Sequence, residues 1–169
     1  MEGADRIKIE KEISCEPICT DRARILTLLN NLISNAVKYH NPQHESPVIR
    51  VKISGSERAA RNIVEDNGIG IPKDRLGRVF DMFYRAHDYS KGSGLGLYIV
   101  KEVVDKLGGT IRVTSTPWKG TSFTIVIPVM SVQNVTPIEQ PAMPRSEQEI
   151  HSVPAESMAT KAGVPLPQA

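Results

Sequence analysis

The chain has 169 residues, of which 40% are hydrophobic and 24% charged, with a formal net charge of +2; these are ordinary values for a globular chain with one core. So small a charge, with acidic residues spread among the basic ones, directs the chain to neither nucleic acid nor an anionic membrane surface. No apolar run reaches the roughly 18 residues of a membrane span and the start, MEGADRIKIEKE, has no signal-peptide core, so a soluble cytoplasmic protein without direct membrane insertion is expected.

In chain order, alternating apolar residues at Ile7 and Ile9 predict a first strand. Cys15 and Cys19 follow in a loop around Pro17. They are too few for a disulfide framework, and with His40 and His44 they match no common zinc-finger spacing, so reduced thiols are expected.

A long helix is predicted from Asp21 to Tyr39, capped by Thr20 or Asp21. At about 100° per residue, Ile25, Leu26, Leu28, Leu29, Leu32, Ile33, Ala36 and Val37 form one broad apolar face, read as core. Asn31, Asn35 and Lys38 fall together on its flank, with Tyr39 at the border. Asparagine is a poor helix former because its amide competes for backbone hydrogen bonds. Two of them one turn apart, followed by a lysine, suggest a functional stripe, since amide oxygens ligate hard cations and an ammonium meets phosphate. A merely solvated face is the alternative.

Ile49, Val51 and Ile53 predict a second strand, and a short third, Ile63 and Val64, runs into Asp66-Asn67-Gly68-Ile69-Gly70-Ile71-Pro72. Gly68 and Gly70 allow the backbone to approach a ligand closely, and a strand-terminal carboxylate accepts a hydrogen bond from an exocyclic amine such as that of adenine. The alternative is a plain Asn-Gly turn. A helix is predicted from Lys73 to about Phe83, after Pro72. The segment Lys91-Gly92-Ser93-Gly94-Leu95-Gly96-Leu97 leads into another from Leu97 to Leu107, stopped by Gly108 and Gly109. Backbone N–H groups at such a helix start make an anion site suited to a phosphate chain. A P-loop is excluded, because no G-x-x-x-x-G-K-[ST] occurs, and a dinucleotide fold lacks its βαβ frame.

Ile111 with Val113, and Phe123 with Ile125 and Ile127, predict the last two strands. From Val129 onward the final 41 residues hold six of the twelve prolines and no Phe, Tyr or Trp. Residues 129–169 are therefore expected to form a disordered tail or linker, leaving residues 1–128 as the folded domain. The element order predicts a mixed sheet with helices packed on one face, a two-layer α/β sandwich.

Together the three motifs resemble the catalytic ATP-binding domain of sensor histidine kinases, in the GHKL superfamily shared with type II topoisomerases, mismatch-repair ATPases and heat-shock chaperones. The resemblance runs from about Ile7 to Pro128. NNLISNAVKY is similar to the family's N box, VEDNGIGIP to its first glycine box and VFDMFYR to its F box. GSGLGLYIVKEVVDKLGG is similar to its second glycine box and GTSFTIVIP to its last. The resemblance implies the Bergerat-type ATP-binding fold, with ATP and Mg2+ as ligands. It implies that Asn35 ligates magnesium with Asn31 assisting, that Lys38 contacts phosphate and that Tyr39 packs on the purine. Asp66 would accept from the adenine amine, with Gly68 and Gly70 against the base and Thr121 in support. Gly94, Leu95, Gly96 and Leu97 would close over the phosphates, and Arg85 would reach the terminal one.

Topoisomerase-like ATPases carry a glutamate base where this chain has Asn31, and an amide takes up no proton from water. Water attack should therefore be poor, whereas the resemblance implies transfer of the γ-phosphoryl to a histidine, and thence to a response-regulator receiver domain. The family's acceptor histidine stands in H-E-x-x-x-P on a dimerisation hairpin. None of His40, His44, His87 and His151 does; His44-Glu45-Ser46-Pro47 is only superficially similar, and His87 is expected in a short lid over the nucleotide, with a solvated loop histidine as the alternative. The chain is accordingly expected to be a fragment, with its histidine-bearing hairpin in the same parent chain or in trans. The alternatives are an anti-sigma-type serine kinase, against which the F box argues, and a degenerate ATP-binding docking module.

Overall fold

The computed structural model describes residues 4–15, 17–56, 58–86 and 93–129. All belong to one of two compact units, Met1–Thr136; the other, Pro137–Ala169, lies outside the described residues, as does most of the expected tail. His87, Lys91, Gly92 and His151 also lie outside them.

Strand β1 spans Lys8–Ser14 and is followed by helix α1, Arg22–Lys38. Strands β2 (Val48–Gly55) and β3 (Ala59–Asp66) come next, then helix α2 (Gly96–Lys106) and strands β4 (Thr110–Thr116) and β5 (Gly120–Pro128). The sheet order is β1-β2-β3-β5-β4. β1 runs parallel to β2 and every other pairing is antiparallel, so the sheet is mixed as expected.

α1 starts where the sequence predicts. The Asp21 side chain accepts the Arg24 backbone N–H at 3.0 Å, satisfying one of the free donors of the first turn; such a cap contributes about 1 kcal/mol. Leu28, Leu32 and Ala36, spaced four apart, are buried and meet Val100 and Val104 of α2 in one core with Ile49, Val51, Val64, Phe123, Ile125 and Ile127. Each fully buried aliphatic side chain contributes about 1.5–3 kcal/mol. The core therefore lies between two helices and the inner face of the sheet, the α/β sandwich read from the sequence.

Three details differ from the sequence reading. The predicted Lys73–Phe83 helix is a 3-10 segment, Lys73–Arg78, followed by turns. The backbone of Phe83 takes a left-handed φ of 62°, which no right-handed helix contains. The short third strand is an eight-residue one, because pairing with both β2 and β5 orders the polar residues flanking Ile63 and Val64. Leu26, assigned to the core face of α1, is 42% exposed, and Ile9 and Ile13 of β1 are 47% and 67% exposed.

Candidate functional site

The C-terminal half of α1, the end of β3 and the start of α2 converge on a cavity of about 330 Å3. α1 brings Asn31, Asn35, Lys38 and Tyr39 to its wall, because these positions lie one turn apart on the flank of its buried stripe. The sheet contributes Asp66 and Thr121, which are register partners at the ends of β3 and β5. Gly70, Arg85, Gly94, Gly96 and Leu97 complete the expected set. Gly68 and Leu95 are not among the residues that line this cavity. Gly68 is pressed against α1 instead: a Cβ there would lie 2.3 Å from the Tyr39 carbonyl oxygen. Leu95 is the residue preceding α2 and offers no side-chain cap.

The orientation of Asn31 follows from its bonding. Asn31 Nδ2 donates to the Thr27 carbonyl oxygen at 2.8 Å. Its Oδ1 is thereby turned toward α2, 3.2 Å from where a Cβ of Gly96 would stand, with both Asn35 amide atoms within 3.7 Å of the same point. Any side chain at position 96 would fill this space. Two amide oxygens beside an uncapped helix start form a donor set that fits a hard cation carrying phosphate. Lys38 sits with its Nζ 4.7 Å from the centre of the Tyr39 ring.

At the sheet end, Asp66 Oδ1 accepts the Gly68 N–H at 2.9 Å. Burial holds the carboxyl above the usual carboxylate range, while the backbone amides of Gly68 and Thr121 pull it the other way. Ser115 is a residue the sequence reading missed. Its hydroxyl accepts the Ile71 N–H at 2.8 Å and donates to the Gly120 carbonyl oxygen at 2.8 Å. It also meets Thr121 Oγ1 at 3.0 Å. Since the serine proton is committed to Gly120, Thr121 is the donor in that last bond, which leaves its lone pairs for the cavity.

Asn67 acts behind the site: its Oδ1 accepts the Val48 N–H at 2.8 Å and its Nδ2 donates to the Ser46 carbonyl oxygen at 2.9 Å. This clamp fixes the loop after β3 against the start of β2. The apolar walls come from Ile71, Val79 and Phe123, all buried. Gly94 has a left-handed φ of 73°, and a Cβ on it would stand 2.6 Å from the carbonyl carbon of Phe83, so its backbone holds the segment before α2 on the turn after the 3-10 segment. Among the described residues no helix is long and apolar enough to cross a membrane.

This arrangement has known counterparts. The chain is 40% identical over 117 residues to sensor protein RprX of Bacteroides fragilis, covering 67% of this chain and 22% of that protein. It is 38% identical over 120 residues to the aerobic respiration control sensor protein ArcB of Escherichia coli, covering 68% and 15%. The chain thus spans about a fifth or less of these curated relatives. Among solved structures, the mycobacterial sensor histidine kinase MprB superposes with a TM-score of 0.60 at 32% identity, covering 73% of this chain and 85% of that one. Full-length ShkA in complex with AMPPNP gives 0.66 at 28% identity, covering 77% and 27%. The family model described as histidine kinase-, DNA gyrase B- and HSP90-like ATPase matches residues 20–131, which contain every wall residue of the cavity, and the chain belongs to that family, as a histidine-kinase-type ATP-binding domain.

Proposed function

We propose that residues 1–128 are the catalytic domain of a two-component sensor histidine kinase, binding ATP with Mg2+ and transferring its γ-phosphoryl group to a histidine on a separate helical hairpin. The observation that carries this reading is the cavity itself. Two amide oxygens and a lysine stand at one end, and a half-buried carboxylate beside a threonine hydroxyl stands at the other. ATP bound there supplies the activated phosphoryl group, and magnesium supplies charge neutralisation along the phosphates.

The protein's part is binding and positioning. The Asp66 carboxylate accepts from the adenine amine, and the free lone pairs of Thr121 Oγ1 accept a second donor at the base or from a bridging water. Tyr39 packs on the purine. Asn35 Oδ1 holds the metal, assisted by Asn31, while Lys38, Arg85 and the first backbone N–H groups of α2 hold phosphate oxygens. Asn31 accepts no proton, so water attack on the γ-phosphate should be poor. A histidine needs no such base, because it brings its own nucleophilic nitrogen. The histidine-bearing hairpin and the response-regulator receiver domain are the proposed partners, and the cytoplasm is the proposed location.

The test is incubation of the chain with Mg2+, γ-labelled ATP and the dimerisation hairpin of an RprX-like kinase, preceded by calorimetry with a non-hydrolysable ATP analogue. The proposal expects saturable magnesium-dependent binding and acid-labile, alkali-stable label on the hairpin, lost when its histidine is replaced. Binding without any transfer would favour the docking module; acid-stable label on a serine would favour the serine kinase.

A further inference from the structure

The end of the domain remote from that cavity carries a second, larger one. A groove of about 550 Å3 opens between the end of β1, the first turns of α1 and the far ends of β3 and β5, where Ile13, Ile25, Leu26, Ile53 and Ile127 form its walls. Its size is that of small-molecule sites, about 300–1,000 Å3. The groove exists because the two helices pack on β2 to β5 and leave the inner face of β1 uncovered, so that Ile13 and Leu26 stay 67% and 42% exposed where the amphipathic pattern calls for burial.

The floor holds a polar group with no partner among the described residues. Asn62 stands on the inner face of β3 between Ala60 and Val64 and is only 4% exposed, yet no described residue hydrogen-bonds its side chain. Among the described residues no fully enclosed polar side-chain atom lacks a partner. The remaining exposure of Asn62 therefore belongs to its amide and opens into the groove. Folding strips most of the water from this amide, a desolvation cost that an aliphatic residue in the same place would not carry. One edge of an amide sets an N–H donor beside a carbonyl acceptor, and a second carboxamide pairs with both. The described lining is mostly apolar, with Arg22 on the exposed first turn of α1, which suits a mainly apolar ligand.

We propose that this groove binds a small, mainly apolar molecule carrying one carboxamide-type group. Its N–H and C=O pair with the Asn62 amide and its hydrocarbon part lies along Ile13, Ile25 and Leu26. The site is independent of the nucleotide cavity and of any reading of it.

The experiment titrates the 15N-labelled full chain with octanamide and, in parallel, with 1-octanol, which has the same chain length but no amide. Saturable shifts are expected at the Asn62 side-chain NH2 and at Ile13 and Leu26, with octanamide binding about tenfold tighter than the alcohol. Asn62→Leu should erase that preference while the alcohol still binds, and should melt no lower than the parent chain. Ile13→Asp, at a wall position exposed and outside the buried core, should weaken both ligands and serves if Asn62→Leu does not fold. Equal affinity for the two probes, no saturable shift from either, shifts confined to the Asn31 and Asp66 cavity, or a preference that survives Asn62→Leu would each overturn the proposal.

Discussion

Asp66→Asn separates what this residue does for the fold from what it does for a ligand. The substitution keeps the shape of the side chain and an oxygen to accept the Gly68 N–H, a bond of 2.9 Å in the parent. It removes the charge. Because burial raises the folded-state value of this carboxyl above the ordinary 3.8, the folded chain holds the proton more tightly than the unfolded one. Stability from this group is therefore greatest below the ordinary carboxylate value and falls as pH rises through the raised one, so at neutral pH the ionised carboxylate burdens the fold. The asparagine variant should melt at or above the temperature of the parent. Its nucleotide affinity should move the opposite way. Losing a charge-assisted hydrogen bond to the adenine amine costs about 1.5–3 kcal/mol, or about 10- to 150-fold in Kd. Calorimetry with a non-hydrolysable ATP analogue and magnesium, beside thermal melts of both proteins, measures the two effects. The parent should also lose affinity as pH is lowered through the raised carboxyl value, whereas the variant should show no such step. A Kd within twofold of the parent would refute the assigned contact, and a melting temperature lowered by more than about 5 °C would mean that the charge holds the fold together.

Gly120→Ala should be the most damaging small change, since its backbone φ is +112° and a Cβ would stand 1.9 Å from the Asp66 carbonyl oxygen; a loss of about 3 kcal/mol or more is expected, read as a melting temperature lower by about 10–15 °C. Ser115→Ala strands the Ile71 N–H and the Gly120 carbonyl, so thermal melts should show a loss of about 1–3 kcal/mol together with weaker nucleotide binding. A melt unchanged within error would mean that water replaces the hydroxyl. Asn35→Ala should raise the Kd of the magnesium complex by about tenfold while changing metal-free binding less than about twofold, a split that calorimetry with and without chelator reads directly.

Local chemistry made much of this chain legible. The carboxylate of Asp21 marks the start of α1 and the burial of Leu28, Leu32 and Ala36 follows from their spacing, so the flank carrying Asn31, Asn35 and Lys38 could be drawn from periodicity alone. The strands betrayed themselves by alternation, and their order with the helices sufficed for a sandwich. The register that sets Asp66 beside Thr121 joins residues far apart in the chain, as does the knot that Ser115 ties between Ile71 and Gly120. No window of sequence contains both partners. Gly68 illustrates the same division: its freedom from a side chain was plain, but that this serves the Tyr39 carbonyl and not the cavity wall depended on where α1 ends in space. Leu26, Ile13 and Asn62 show it most sharply. Their residue types and periodicity were fully visible, yet whether an apolar side chain is covered, or a polar one left facing an open groove, is decided by which elements pack over it, and two helices do not cover all five strands.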